Sequence, residues 1–374
     1  MSTGGGILQN LWTTFLTILV YLSSFLGLTP SAATGGAQGS APSYGGGSPI
    51  TPAVVNYASG VEVMAYYMER TPGDMQPYNS LLKASPALTT IIPFSYNADA
   101  TGRISGTVNQ RMLALARARG LKVLALVHNA GDGRFSASTA HALLGTAWSR
   151  RTVIENVYDL LVHNGFDGVN IDLENVPTGD RANLTAFFRD LSARLRPDHF
   201  LVTASLPAKT YDDHASSWSG AYDYAALVPY LDLALLMTYD EHSAGGHPGP
   251  VASFGWVERV IGYAESVFSP QRIVLGVPAY GYAWSGVTGK AITHGQAASL
   301  LVSRGITPSW DAWAQVPYFQ YNDQGLLHNV WYENGASAAV KAALARQHGL
   351  RGVAVWRLGS EDPAVWSEIA RLWQ

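Results

Sequence analysis

The chain runs to 374 residues, 47% hydrophobic and 14% charged, a balance that fills a large core and excludes a disordered chain. With 24 basic against 27 acidic residues the formal charge is −3, so no basic surface stands ready for a phosphate backbone, and nucleic acid is excluded as the natural partner. There is no cysteine, which removes disulfides, thiolate metal sites and cysteine nucleophiles together.

The first charged residue is Glu62. Ahead of it, residues 11–28 (LWTTFLTILVYLSSFLGL) form an apolar run long enough for a signal peptide or a membrane tether, and SAA at 31–33 suits cleavage. Residues 1–33 are therefore expected to export the chain to the extracellular side, the cell wall or the membrane surface. A Gly/Ser/Pro-rich linker follows at 34–52. The remainder, 53–374, reads as one catalytic body.

Within that body, short apolar runs rich in β-branched residues alternate with stretches of helical period, the pattern of a parallel sheet with crossover helices. Strands are expected at 61–67, 88–96, 122–128, 168–174, 200–206, 231–239, 272–280 and 352–358. Helical stretches fall before strand three (NQRMLALARARG), after strand four, where Asp180 is placed as the N-cap, and at the C-terminus (SEDPAVWSEIARLW). Eight strands without a Gly-rich first turn point to an α/β fold of the closed (β/α)8 TIM-barrel type rather than an open doubly wound sheet. Between strands seven and eight the connection is too long for one crossover and carries Trp310, Trp313, Tyr318, Phe319, Tyr321 and Trp331. A small α+β insertion is expected there, over about 284–334.

The chemistry concentrates in strand four, FDGVNIDLENV at 166–176. Alternation sends Val169, Ile171 and Leu173 to one face and Asn170, Asp172 and Glu174 to the other, into the barrel and towards its C-terminal rim. Asp167 is out of phase and reads as a structural hydrogen-bonding residue. Two carboxyls in one confined site raise each other's pKa, so one of them holds a proton near neutral pH and serves as a general acid. A satisfied polar network inside an otherwise functionless barrel is the competing account, and it is a costly way to fill an interior. Glu241, His242 and His247, like Asp212, Asp213 and His214, lack the spacing of a metal site, and no cofactor motif is present.

DGVNIDLE resembles the D-G-x-D-x-D-x-E signature of glycoside hydrolase family 18, the chitinase-like family, and the likeness extends in order over residues 61–373. The resemblance implies that Glu174 protonates the glycosidic oxygen, and that Asp172 orients the substrate's acetamido group, the internal nucleophile. Asn170 stands where the family usually carries a middle Asp and is expected to support Asp172. In LLMTYDEH (235–242), the family's M-x-Y-D implies Tyr239 on the acetamido oxygen, Asp240 on the sugar and Met237 on the pocket wall. Trp356 is matched to an aromatic sugar floor, and Asn129 and Tyr66 are further candidates to line the cleft. The N-x-D-x-E form followed by ENV resembles the spore-cortex-lytic, peptidoglycan-acting branch. The expected function is thus a retaining N-acetylglucosaminidase acting on peptidoglycan, without cofactor or metal. The alternatives are a chitinase or chitooligosaccharidase, a lectin-like member without catalysis, and a membrane-tethered envelope protein.

Overall fold

The computed structural model describes residues 60–373 apart from Asp132. The apolar segment at 11–28, the cleavage site at 31–33 and the linker at 34–52 lie outside the described residues.

Seven parallel strands follow one another: β1 (Glu62–Tyr67), β2 (Thr90–Ala98), β3 (Lys122–His128), β4 (Gly168–Asp172), β5 (Leu201–Pro207), β6 (Leu233–Met237) and β7 (Ile273–Pro278). Each pairs with the next. After the insertion, β13 (Gly352–Trp356) pairs with both β7 and β1, which closes an eight-stranded barrel. All eight expected strands are present: β3 has the expected bounds, β2 and β5 are shifted towards the C-terminus, and the others end shorter where flanking residues turn into loops.

The pleat divides the interior from the helix layer. Met64, Tyr66, Ile92, Leu124, Leu126, Leu233, Leu235, Val274 and Ala354 form an apolar cluster inside the barrel. Asn170, Thr203 and Ser205 fill the β4–β5 side of the same space, all buried. Residues of opposite phase, such as Val63, Val123, Val169 and Val202, join the larger core under the helices.

At the N-terminal end of the barrel, the side chain of a residue just ahead of a strand accepts the N–H of the second residue of its neighbour. Thr89 takes the Val63 N–H at 3.0 Å, Asp167 that of Val123 at 2.7 Å, and Asp232 that of Val202 at 2.8 Å. These donors would otherwise be left over where the ladder begins, so Asp167 is structural as expected. Asp180 occupies the N-cap position of the helix Arg181–Leu195 but does not cap it through its side chain. Its backbone sits at φ −94°, ψ 9° rather than extended, and its carboxylate turns to His141 (2.8 Å) and the Asn183 amide (2.9 Å).

The insertion is an antiparallel sheet of β8 (Tyr280–Ser285), β9 (Thr288–Thr293), β10 (Ser309–Asp311), β11 (Val316–Asp323) and β12 (Leu326–Tyr332), with the helix His294–Arg304 on one face. It starts at Tyr280, ahead of the expected 284, because β8 leaves the barrel almost directly from β7. Ile292, Ala297, Phe319, Val330 and Tyr332 form its own small core. Trp313 is 92% exposed and belongs to no core.

The barrel-base device generates a test. Asp167→Ala strands the Val123 N–H and should lower unfolding free energy by about 1 kcal/mol in urea titration. Turnover below the unfolding transition should be unchanged, because Asp167 lies at the end of the barrel opposite Glu174.

Candidate active site

Strand β4 ends at Asp172, and the chain continues through Leu173 and Glu174 to Asn175, whose φ of 55° turns it sharply away. Both carboxyls therefore face the C-terminal mouth of the barrel. The main chain there is held from two sides. The Asn129 amide donates to the Glu174 carbonyl at 2.9 Å and accepts the Glu174 N–H at 2.9 Å. From the other side the Tyr222 hydroxyl donates to the Leu173 carbonyl.

Asn129 thus corrects a sequence expectation. It is 1% exposed, and its amide nitrogen serves the Ser136 carbonyl as well as that of Glu174. It clamps the backbone that carries Glu174 and does not line the cleft.

Asp172 is buried, and its Oδ1 has no hydrogen-bond partner among the described residues. Desolvation pushes its carboxyl up to about 7. Glu174 is half-buried at the cleft surface, and burial followed by the Asp172 charge pushes it well above the ordinary carboxyl range. The two titrate as a pair, with one proton retained between them near neutrality.

Asn170 does not hydrogen-bond Asp172, the second correction. Its register partner on β5 is Thr203, and the Asn170 amide donates to Thr203 Oγ1 at 3.1 Å while Thr203 donates onward to the Val169 carbonyl at 3.0 Å. Asn170 Oδ1 accepts from Ser205 Oγ at 2.8 Å, and Ser205 Oγ lies 3.3 Å from the Tyr66 hydroxyl. Since the Ser205 proton points to Asn170, Tyr66 donates to Ser205. Pleat geometry places Asn170 against β5, and its two amide atoms are spent there.

The cleft has two adjoining hollows, of about 720 and 1070 Å³ of empty space. The first is lined by Tyr66, Asp172, Glu174, Met237, Tyr239 and Trp356. Trp356 stacks on Tyr239 (centroids 6.4 Å, 22° between planes) and meets the edge of Tyr66 at 5.1 Å. Burial pushes the Tyr239 hydroxyl well above its ordinary value, so it stays a donor. The second hollow shares Glu174, Met237 and Tyr239, and adds Asp240. Asp240 Oδ1 accepts from the hydroxyls of Tyr280 and Tyr282, each at 2.7 Å, and desolvation pushes its carboxyl up to about 6.

The structure thus gathers Glu174, Asp172, Tyr239, Trp356, Met237, Asp240 and Tyr66 around one cleft. The loop acids are engaged elsewhere: Glu241 accepts from the Ser253 N–H and hydroxyl (2.7 and 2.9 Å), and Asp212 pairs with Arg181 and Lys209 (both 2.6 Å). No group of three metal-binding side chains occurs among the described residues.

Sequence reasoning missed Phe94, Phe135, Ser205, Trp218 and Arg357 on the cleft walls. Period-two alternation from Ile92 would have found Phe94, and that from Thr203 would have found Ser205. Phe135 and Trp218 sit on loops, where no periodic signal exists.

The glycosyl hydrolases family 18 model matches residues 53–362. An uncharacterized glycosylase of Bacillus subtilis is 31% identical over 307 residues, covering 80% of this chain and 89% of the relative. A chitinase from Chromobacterium violaceum superposes with TM-score 0.78 at 30% identity, covering 83% of this chain and 98% of that one. The spore cortex-lytic enzyme of Bacillus cereus does so with TM-score 0.78 at 26% identity, over 84% of this chain and 75% of that one.

A carboxyl raised in the folded state binds its proton more tightly there than in the unfolded chain, so stability falls as pH rises from the ordinary carboxyl value towards about 7. Asp172→Asn removes that penalty. It should raise the melting temperature at about pH 8, by ~2 °C per kcal/mol relieved, and lose the advantage near about pH 4. Calorimetry across that range checks the sign.

Proposed function

Because the chain belongs to family 18 of the glycosyl hydrolases, a glycosidase family that here links it to spore cortex-lytic enzymes and chitinases, we propose that it cleaves β-linked N-acetylglucosamine in bacterial peptidoglycan. The observation that carries this reading is the Asp172–Glu174 pair at the mouth of β4, facing a cleft whose other carboxylates, Asp240 and Glu241, are held by Tyr280, Tyr282 and Ser253. In the substrate-assisted chemistry of this family, the nucleophile is the substrate's own acetamido oxygen, and no second nucleophilic carboxylate is required.

Glu174 gives its proton to the glycosidic oxygen as the bond to C1 breaks. The acetamido oxygen closes on C1, and Asp172 accepts the acetamido N–H and balances the positive charge of the oxazolinium ion. Tyr239 donates to the acetamido oxygen, Trp356 lies under the sugar ring, and Asp240 holds a hydroxyl at the cleft rim. The Glu174 carboxylate then takes a proton from water, whose oxygen opens the ring at C1 with net retention. Asn170 acts at a distance, fixing Ser205 and through it the Tyr66 hydroxyl.

The N-x-D-x-E sequence with ENV after it and the cortical fragment-lytic relatives favour peptidoglycan over chitin. The likeness to the Chromobacterium chitinase favours chitooligosaccharides as the second reading. The apolar run at 11–28 and the linker behind it support an exported enzyme, released or tethered.

Purified peptidoglycan and chitin oligomers given to the full chain and to Glu174→Gln test the assignment. Loss of the acid should cut turnover by about 10²- to 10⁴-fold. Wild-type products ending in reducing N-acetylglucosamine support the glucosaminidase, whereas glycan binding without products from either protein replaces it with a lectin. The pH profile adds a sign. The Asp172 charge holds the Glu174 proton on, so Asp172→Asn should shift the alkaline limb of residual activity to lower pH.

A further inference from the structure

The second hollow shares Glu174 with the first but not the Trp356 floor, so in the reading above it takes the leaving saccharide. It is walled by Gly133, Arg134, Asn175, Asp240 and Trp256. Arg134 is exposed, and its guanidinium makes no hydrogen bond or ion pair among the described residues. The acids that share its hollow form no ion pair with it among the described residues and are anchored elsewhere, Asp240 by two tyrosines and Glu241 by Ser253. The other cation on the cleft wall, Arg357, is buried in the first hollow and donates to the Met68 carbonyl at 3.2 Å.

The position of Arg134 is indexed to the acid. It sits on a short hairpin in which Ala130 pairs with Phe135 and Gly131 with Arg134. The root of that hairpin is fixed by the Asn129 amide on the Ser136 carbonyl (3.0 Å) and by the Asn175 amide on the Phe135 carbonyl (3.0 Å). The same Asn129 grips Glu174 at both main-chain atoms. The main chain that carries Arg134 is thereby fixed relative to Glu174, and the residue lines the same hollow.

We infer that Arg134 is a specificity-determining residue that pairs with a carboxylate carried by the leaving sugar. This rests on the peptidoglycan reading above and sharpens it. Where N-acetylglucosamine leaves an N-acetylmuramyl unit, that unit carries on O3 a lactyl group whose carboxyl is either free or extended by an acid-bearing peptide stem. Chitin offers a neutral hydroxyl at the same place. A planar guanidinium binds a carboxylate through two parallel hydrogen bonds and gains nothing comparable from a hydroxyl.

The test compares kcat/KM for the full chain on three substrates: peptidoglycan fragments with stems, the same fragments after an amidase has removed them, and chitotetraose. Arg134→Ala should lose about tenfold on acid-bearing fragments and far less on chitotetraose, with Arg134→Lys recovering part of the loss. About 0.5 M salt should narrow the wild-type preference. Loss confined to the amidase-treated fragments assigns the freed lactyl carboxylate, loss confined to stem-bearing fragments assigns a stem carboxylate, and loss on both shows that Arg134 pairs with whichever carboxylate the leaving sugar carries. Equal losses on fragments and chitotetraose, or none on fragments that the wild type cleaves, overturn the inference while the peptidoglycan reading stands. A wild type that cleaves chitotetraose and leaves peptidoglycan intact overturns both.

Discussion

Two carboxyls placed side by side at the top of β4 repel each other and lose water, and the surrounding structure is organised to hold them there without satisfying them. Asp172 keeps an oxygen with no hydrogen-bond partner among the described residues, while the main chain around it is fixed by Asn129 and Tyr222. The backbone is rigid and the reacting atoms are left unpaired, which suits groups that must form their hydrogen bonds with substrate rather than with protein. Barrel closure makes this affordable, because β4 is paired on both sides and cannot move to relieve the repulsion.

Asn170 decides how many acids share the site. A carboxyl at that position would add a third titrating group beneath Asp172. The amide instead donates to Thr203 and accepts from Ser205, giving a hydrogen-bonded row from Tyr66 across to the Val169 carbonyl whose direction is set at every step. Glu174 is then the acidic neighbour with which Asp172 shares its proton. The polar filling of the β4–β5 side thus isolates the pair electrostatically as well as packing beneath it.

The barrel was readable because strands covered on both faces appear as unbroken apolar runs, and the active carboxyls stood out because charge in such a run needs a reason. What escaped has physical causes too. Asn129 looks the same in sequence whether its amide meets a sugar or a backbone, and only the fold shows that both of its atoms are taken. Arg134, Phe135 and Trp218 lie on loops that carry no period. The insertion begins early because β7 and β8 follow one another almost directly at 278–280, where neither glycine nor a polar cluster marks the bend. Asp180 has the right identity and position for a cap, but the backbone angle that makes a cap is not legible from residue type.

The insertion is more than a wall added to the rim. Its first strand brings the Tyr280 and Tyr282 hydroxyls to one oxygen of Asp240, while Tyr282 and Trp284 pack with Ala244 and Val251 of the loop after β6. Asp240 holds a φ of 63°, a left-handed conformation that costs on the order of 1 kcal/mol for a residue with a side chain. Two tyrosine hydrogen bonds and the packed loop offset that cost and leave Oδ2 without a partner among the described residues. An aspartate so placed depends on the insertion for its orientation, so the geometry of the second hollow is set jointly by β6 of the barrel and β8 of the insertion. Changes in the insertion far from Glu174 therefore reach the cleft through Asp240, whereas the position of Glu174 is fixed by Asn129 and Tyr222 and is insulated from them.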